Sequence, residues 1–280
     1  MSVRTPGDLL AAVLLVTLCA ATRAFAAGHL QVEVGGRSAQ YSGLDETYQF
    51  SPLNSFLPPV ETGWERQWRE ESAWVRPTWD LPIGEHVLLN PGFLLGVARG
   101  RFAADNGGMN FSEEWRTRLG LLGGLSLAGE VRADRTRGFF LRVQYQYTSA
   151  KAGEEYESIV SDGPSNPDDR DARFRWQQSE VDMGLGCRWG SFEPVAGMAY
   201  SRLRLQKWLH YQIPETGSSG IGLEIPRALN GTESEYHFEN TDAWAPYLGL
   251  TWQVTPRWVL FARGTFAVRG DYVMGVRISL

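Results

Sequence analysis

Two histidines are the side chains best suited to acid–base chemistry in this chain of 280 residues. His237 lies in the segment EYHFENTD, next to Glu235, Glu239 and Asp242, and His210 precedes a long polar segment. A histidine beside carboxylates can act as a general base. His210 and His237 are therefore the candidate catalytic residues of a hydrolase, although histidines in solvated loops are the simpler interpretation.

A second group of reactive side chains is acidic and lies in the segment from 150 to 173. Its members are Glu154, Glu155, Glu157, Asp162, Asp168, Asp169 and Asp171. Clustered oxygen ligands suit calcium or magnesium, but the spacing matches no calcium loop. Because the chain also lacks a Cys/His cluster and a glycine-rich strand-to-helix turn, the sequence predicts no metal, no cofactor and a solvated acidic loop.

The N-terminus has the features of an export signal. A charged start, an apolar run over 9–21 and the small residues Ala24 and Ala26 of an Ala-x-Ala site predict a cleaved signal peptide at residues 1–26. Cleavage would remove Cys19 and leave Cys187 as a single cysteine, so we expect no internal disulfide. The formal net charge of −5 is mild and argues against nucleic acid as a partner.

Period-two alternation of apolar and polar residues dominates the rest of the chain. It is clearest over 115–127, 141–149 and 177–190. The other predicted strands lie near 29–42, 65–81, 86–102, 194–213, 242–254, 257–267 and 271–280. Residues 27–280 contain no run approaching 18 apolar residues, which argues against a transmembrane helix. The predicted strands are longer than those of globular sheets and long enough to cross an outer membrane.

The connections between these strands alternate in length. Short turns include LPIGEH, GSFE and VTPR, whereas long polar loops are predicted at 43–64, 103–113, 150–173 and 214–241. This alternation is typical of a membrane barrel with periplasmic turns and extracellular loops. The sequence therefore predicts an all-β fold, an antiparallel transmembrane β-barrel of about ten strands in one domain at 27–280. Eight or twelve strands are the alternatives, because GIGLEI could extend a hairpin.

The two faces of the predicted strands differ in charge. An arginine facing lipid costs roughly 2–4 kcal/mol at the midplane, so we expect the charged face to line the lumen. The expected lumen cluster is Glu33, Glu70, Arg116, Arg118, Arg142, Glu180, Asp182, Arg202 and Arg204, with Arg37, Arg76, Arg188, Arg263 and Arg277 on the same face. In so narrow a barrel these side chains would plug the lumen, while the excess of arginine keeps a narrow anion channel as an alternative.

The 11 tryptophans lie mostly near predicted strand ends. We expect them to form the aromatic girdles that flank the apolar band of a membrane barrel.

The last strand resembles the assembly signal of bacterial outer-membrane β-barrel proteins. Gly275 is followed by apolar residues at the third and fifth positions, Ile278 and Leu280, although Leu280 replaces the usual phenylalanine. The resemblance implies an outer-membrane location, contact with lipid and lipopolysaccharide, and delivery to the barrel-assembly machinery. We expect a monomer with a structural or surface-interaction role.

A rim-active hydrolase is the enzymatic alternative. Ten strands are similar in number to the omptin-type surface proteases, which carry an aspartate pair and an Asp/His pair at the extracellular rim. The segment 103–113 supplies one aspartate, Asp105, and so departs from that pattern.

Overall fold

The computed structural model describes residues 30–50, 64–106, 111–133, 138–160, 169–212, 233–240, 244–266 and 270–280. The predicted signal peptide and its cleavage site lie outside these residues. No helix within the described ranges is long and apolar enough to cross a membrane.

Fourteen antiparallel strands make up the described part of the chain. They are β1 (Leu30–Ser42), β2 (Leu44–Phe50), β3 (Glu65–Trp79), β4 (Leu81–Ile83), β5 (Val87–Asn106), β6 (Phe111–Thr117), β7 (Gly120–Arg132), β8 (Gly138–Val160), β9 (Asp169–Arg188), β10 (Phe192–Gln212), β11 (Glu233–Asn240), β12 (Trp244–Gln253), β13 (Trp258–Thr265) and β14 (Gly270–Ser279). A closed ring of ten runs through β1, β3, β5, β7, β8, β9, β10, β12, β13 and β14. The predicted ten-stranded barrel is therefore confirmed.

The barrel narrows beyond the short β13–β14 hairpin, toward the end that carries the long connections. We call that part of the barrel the upper half and the other part, with the short turns, the lower half. There β11 pairs directly with β2, with Phe238 opposite Glu46 and Asn240 opposite Leu44. An ion pair between Arg66 and Glu46 at 2.8 Å joins β2 to β3. The upper wall consequently consists of β2, β3, β5, β6, β8, β9, β10 and β11, two strands fewer than the ring below.

The strands extend into segments that the sequence predicted as loops. β8 has 23 residues and β10 has 21, about twice the 9–11 that a tilted strand needs to cross an outer membrane. The loop assignments at 43–64, 103–113, 150–173 and 214–241 are corrected accordingly, since β2, β5, β8, β9 and β11 occupy parts of them. Half of each long strand therefore rises above the membrane.

An apolar belt surrounds the lower outer wall. Its exposed members include Val34, Val75, Leu95, Val97, Leu121, Tyr145, Val181, Met183, Leu185, Met198, Leu248, Leu250, Tyr272 and Met274. On β10 the belt runs from Phe192 to Tyr200, about 27 Å along the strand. At the usual tilt this spans about 21 Å of height, close to the roughly 25 Å apolar band of membrane barrels. The lower wall is thus built to face lipid.

The first and last strands close the ring. They pair from Gln31 opposite Ser279 to Gln40 opposite Gly270, and the Leu280 N–H donates to the Leu30 carbonyl at 3.0 Å. At the middle of this seam Gly35 faces Gly275.

Two rings need the space that these glycines leave. Trp74 and Phe261 stack inside the seam with centroids 6.3 Å apart. A Cβ on Gly275 would clash with the Val34 carbonyl oxygen and would lie 2.6 Å from the Phe261 ring. The seam therefore packs without strain only if position 275 has no side chain.

Gly275→Ala should weaken barrel closure, because overpacking of this kind typically costs about 1–3 kcal/mol. We expect a lower urea midpoint, measured from the heat-modifiable folded band on gels. Gly123→Ala is the matched control, since a Cβ there meets no atom within 4 Å. Equal midpoints for the two variants would show that Gly275 is not packed as described.

Candidate functional site

A buried network of charges crosses the middle of the lumen. Arg37 donates through Nε to Asp271 Oδ1 and through Nη2 to Glu180 Oε2, both at 2.8 Å. Arg263 donates to Glu180 and to Asp182. We call these five residues the central ionic layer. Because β1 and β9 lie five positions apart in the ring of ten, the Arg37 side chain joins opposite walls.

Four of the five side chains in the layer are buried, and that of Arg263 is 18% exposed. The side chains of Arg37 and Glu180 are 5% and 4% exposed, and that of Asp271 is fully buried. Gln178 adds a further acceptor for Arg37, at 2.8 Å from Nη1. Charges so deeply buried are stable only when paired, and removal of one partner is strongly destabilising.

An aromatic core fills the lumen above this layer. Its fully buried members are Trp68, Trp115, Trp176, Phe102, Phe174, Leu203 and Leu205. The Trp68 and Trp176 rings lie 5.0 Å apart, and those of Phe102 and Phe238 lie 5.1 Å apart. We call this set the upper core. Inside the narrowed wall, the barrel is therefore packed like a soluble protein.

A lysine lies at the top of the upper core. Lys207 is 2% exposed, and its Nζ lies 2.9 Å from Glu113 Oε1. The same ammonium lies 4.6 Å from the Trp115 ring centroid and 4.9 Å from that of Phe102. Cation–π contacts and the ion pair together compensate the buried charge.

Some tryptophans are placed differently from the predicted girdles. Trp68, Trp74, Trp115 and Trp176 point into the barrel and are buried, which corrects their assignment to the membrane interfaces. By contrast, Trp189, Trp244, Trp252 and Trp258 are exposed on the outer wall, as a girdle requires. Trp68, Trp115 and Trp176 fill the space that a polar lumen would leave in the upper half, whereas Trp74 packs inside the seam and lines the inner cavity.

Below the central ionic layer the lumen contains two adjacent cavities, each lined by both charged and apolar side chains. An inner cavity of about 100 Å³ lies against Arg37, Asp182 and Arg263. A vestibule of about 210 Å³ continues toward the end with short turns, where Gly190 and Ser191 contribute to its wall. Arg76, Arg142 and Arg277 line both cavities.

The structure divides the predicted lumen cluster between two locations. Glu33, Glu70, Arg142, Glu180 and Asp182 point inward, and all except Arg142 are buried. The other four, Arg116, Arg118, Arg202 and Arg204, lie exposed on the outer wall of the upper half.

This outward placement corrects the lumen assignment and has a physical reason. On β10 the inward positions are odd-numbered, so Leu203 and Leu205 enter the upper core while Arg202 and Arg204 face water. On the β6 side, Trp115 and Thr117 point inward. Above the belt the outer wall meets water, where arginine carries no lipid penalty.

Two inward carboxylates were missed in the sequence. Asp271 lies on β14 and shares the odd numbering of Val273 and Arg277. Glu130 lies near the end of β7 and receives hydrogen bonds from Arg132 and Arg142. Extension of the period-two pattern to the ends of the strands could have found both.

The two candidate histidines are not brought together. His237 is registered with Gln206, and His210 with Glu233, so the two lie four residues apart along the β10–β11 pair, about 14 Å. Both have the outward numbering of their strands. His237 Nε2 lies 2.7 Å from Glu235 Oε1, and its ring packs 5.0 Å from that of Tyr48.

The predicted acidic loop is partly strand, because Glu154 and Glu155 belong to β8. Asp162 and Asp168 lie outside the described residues. Within the described ranges, no three histidine, cysteine or acidic side chains are arranged to hold a metal ion.

Arg37→Met should destabilise the folded barrel by about 3–5 kcal/mol, because it leaves buried Asp271 and Glu180 without their partner. Chemical denaturation in detergent measures the change. Arg202→Met is the control: Arg202 pairs with Glu239 on the exposed wall, and such pairs contribute at most about 1 kcal/mol. A similar small loss in both variants would contradict the proposed importance of the layer.

No protein-family model matches the chain, and no curated protein matches it. Among solved structures, it is similar to the outer membrane protease OmpT from Escherichia coli, with a TM-score of 0.52 at 10% identity, over 90% of this chain and 96% of that one.

Weaker likenesses are to the transport unit of the autotransporter AIDA-I from Escherichia coli and to the toluene transporter TodX from P. putida. Their TM-scores are 0.41 and 0.37, at 8% and 9% identity. The first match covers 90% of both chains, and the second covers 93% of this chain and 92% of the other. The ten-stranded ring and its apolar belt give this chain the fold of the bacterial outer-membrane β-barrels.

Proposed function

We propose that the chain is a non-conducting surface protein of the outer membrane whose outer wall binds lipopolysaccharide. The observation that carries the first part is the filled interior of the upper wall. An eight-stranded barrel is just wide enough for side chains to fill it. Here Trp68, Trp115 and Trp176 do so, each with at most 1% of its surface exposed.

Closure of the barrel predicts that purified protein shows no steady conductance in a planar bilayer. Ions that enter the vestibule meet first the central ionic layer and then the upper core. Insertion is verified on the same membranes by protease protection of the folded barrel. Steady anion-selective current steps would contradict the proposal and support the narrow channel.

The second part rests on a band of cationic side chains on the outer wall directly above the apolar belt. Its members are Arg69, Arg99, Arg101, Arg116, Arg118, Lys151, Arg173, Arg175, Arg202 and Arg204, all exposed. We call them the arginine band. On β5, for example, the outward side chain changes from Val97 in the belt to Arg99 in the band.

Neighbouring strands hold parts of this band in a continuous row. Arg101 is registered with Arg69 on one side and with Arg116 on the other. Three carboxylates pair with arginines of the band. Glu71 pairs with Arg99, Glu114 with Arg101 and Arg116, and Glu239 with Arg202 and Arg204. The hydrogen bond from Arg99 lowers the pKa of the Glu71 carboxyl. The carboxylates thus orient the guanidinium groups while cations remain in excess.

The position of the band supports lipopolysaccharide as its ligand. The end of the barrel with long connections is extracellular in membrane barrels, so the band lies level with the head groups of the outer leaflet. Guanidinium groups bind phosphate through paired, charge-assisted hydrogen bonds. The phosphate groups of lipopolysaccharide are the anions available at that level.

Replacement of Arg99, Arg101 and Arg116 by glutamine should weaken binding of lipopolysaccharide about tenfold or more, since each charge-assisted bond lost contributes roughly 1.5–3 kcal/mol. Native mass spectrometry of the detergent-purified protein gives the bound fraction. Arg257→Gln, an exposed arginine in the opposite turn, is the control. Equal binding by all variants, or by dephosphorylated lipid, would refute phosphate recognition.

We further propose that Gly275, Ile278 and Leu280 serve as the signal for the barrel-assembly machinery. Supporting this, β14 is the strand that completes the ring, and Leu280 itself bonds to Leu30 at the start of β1. A last strand that must pair with the first is a suitable feature for assembly to recognise.

A rim-active hydrolase is the second candidate, favoured by the His237–Glu235 contact at 2.7 Å and by the likeness to OmpT, a protease. The separation of His210 from His237 and their outward position weigh against a shared cleft. Hydrolytic activity that is lost in His237→Ala would favour this candidate over the first.

A further inference from the structure

We propose that the inner cavity binds a small zwitterion, such as an α-amino acid, that enters through the vestibule. The ligand carboxylate would contact Arg76, Arg142 and Arg277, and its ammonium group would contact Asp182. All four side chains line the inner cavity.

Asp182 supplies the acceptor. Its side chain is 6% exposed, and its Oδ2 is bound by Arg263. Its Oδ1 is buried and has no hydrogen-bond partner among the described residues. A buried carboxylate oxygen without a donor is costly, so the cavity beside it suits a group that donates, and an ammonium group has three N–H donors.

The carboxylates around Asp182 also outnumber the guanidinium groups of the central ionic layer, so an additional cation would be favourable there. The central ionic layer sets two guanidinium groups, Arg37 and Arg263, against the carboxylates of Glu180, Asp182 and Asp271. Buried charge must be compensated. A ligand ammonium would balance this layer.

The three arginines supply donors for a carboxylate. Arg277 bonds Glu33 through Nε at 2.7 Å, and Arg142 bonds Glu130 through Nε and Nη2 at 3.1 and 2.6 Å. Since a guanidinium has five N–H donors, these bonds leave both Nη groups of Arg277 and Nη1 of Arg142 without an acceptor in the described part of the chain. Arg76 is held between Glu33 and Gln146.

The size and access of the inner cavity limit the ligand. A cavity of about 150 Å³ can hold benzene, so the inner cavity, at about 100 Å³, suits a molecule no larger than glycine or alanine. The vestibule leads to it past turn residues Gly190 and Pro256. The upper core closes the other side, so the ligand would come from the periplasm and leave by the same route.

Isothermal titration calorimetry of the full chain in detergent tests the proposal with glycine, alanine, acetate and methylamine. We expect glycine and alanine to bind and both single-charge analogues to bind at least tenfold more weakly, because each lacks one of the two contacts. Acetate or methylamine that binds as tightly as glycine would overturn the proposal, and so would the absence of binding by all four. The wild-type protein suffices for this comparison.

Variants locate the site. Arg277→Gln should weaken binding of glycine at least tenfold, whereas Arg188→Gln should leave it unchanged, because Arg188 lines the vestibule but not the inner cavity. Asp182→Asn should remove the preference for glycine over acetate, in protein whose heat-modifiable band shows that it is folded. Equal losses in the two arginine variants would place binding outside the inner cavity and contradict the assignment.

Discussion

Each long strand passes from lipid into water, and this change of surroundings decides which of its faces can carry charge. In the lower half the outer face must be apolar, so charged side chains turn inward. In the upper half the outer face meets water, and the inner face can bury aromatic rings. On β9 this exchange occurs between Gln178 and Val181: Phe174 and Trp176 point inward above it, and Val181 and Met183 point outward below it.

The central ionic layer lies at the height where the outer face changes from apolar to charged. It separates the cavities of the lower half from the packed core of the upper half. Arg37 joins opposite walls and ends the polar lumen. Below the layer, the arginines around the inner cavity lie next to the vestibule at the end with short turns, which is the basis for the proposed ligand site. Above it, the upper core fills the narrower wall, and the arginine band lies on the exposed outer wall directly above the apolar belt.

Much of the fold could be predicted from the sequence, because the strands of a closed membrane barrel have a regular residue pattern and regular connections. Period-two alternation and alternating connection lengths predicted about ten strands, among them the last strand, which pairs with the first in the ring. The upper half could not be predicted with one rule for both halves. If apolar side chains are assumed to face lipid along the whole strand, Arg202 and Arg204 are assigned to the lumen and Trp176 to the interface. The cavities, moreover, depend on side chains from strands distant in sequence, such as Arg142 and Arg277.

The change of surroundings along the outer face of β9 can be measured directly with single cysteines in a Cys187→Ser background. Arg175→Cys should react with a water-soluble maleimide, and Met183→Cys should react only with a lipid-soluble reagent. Trp176→Cys, between them, should react with neither while the barrel is folded. Rapid reaction of Trp176→Cys with the water-soluble reagent, or protection of Arg175→Cys from it, would contradict a water-facing upper wall around a packed core.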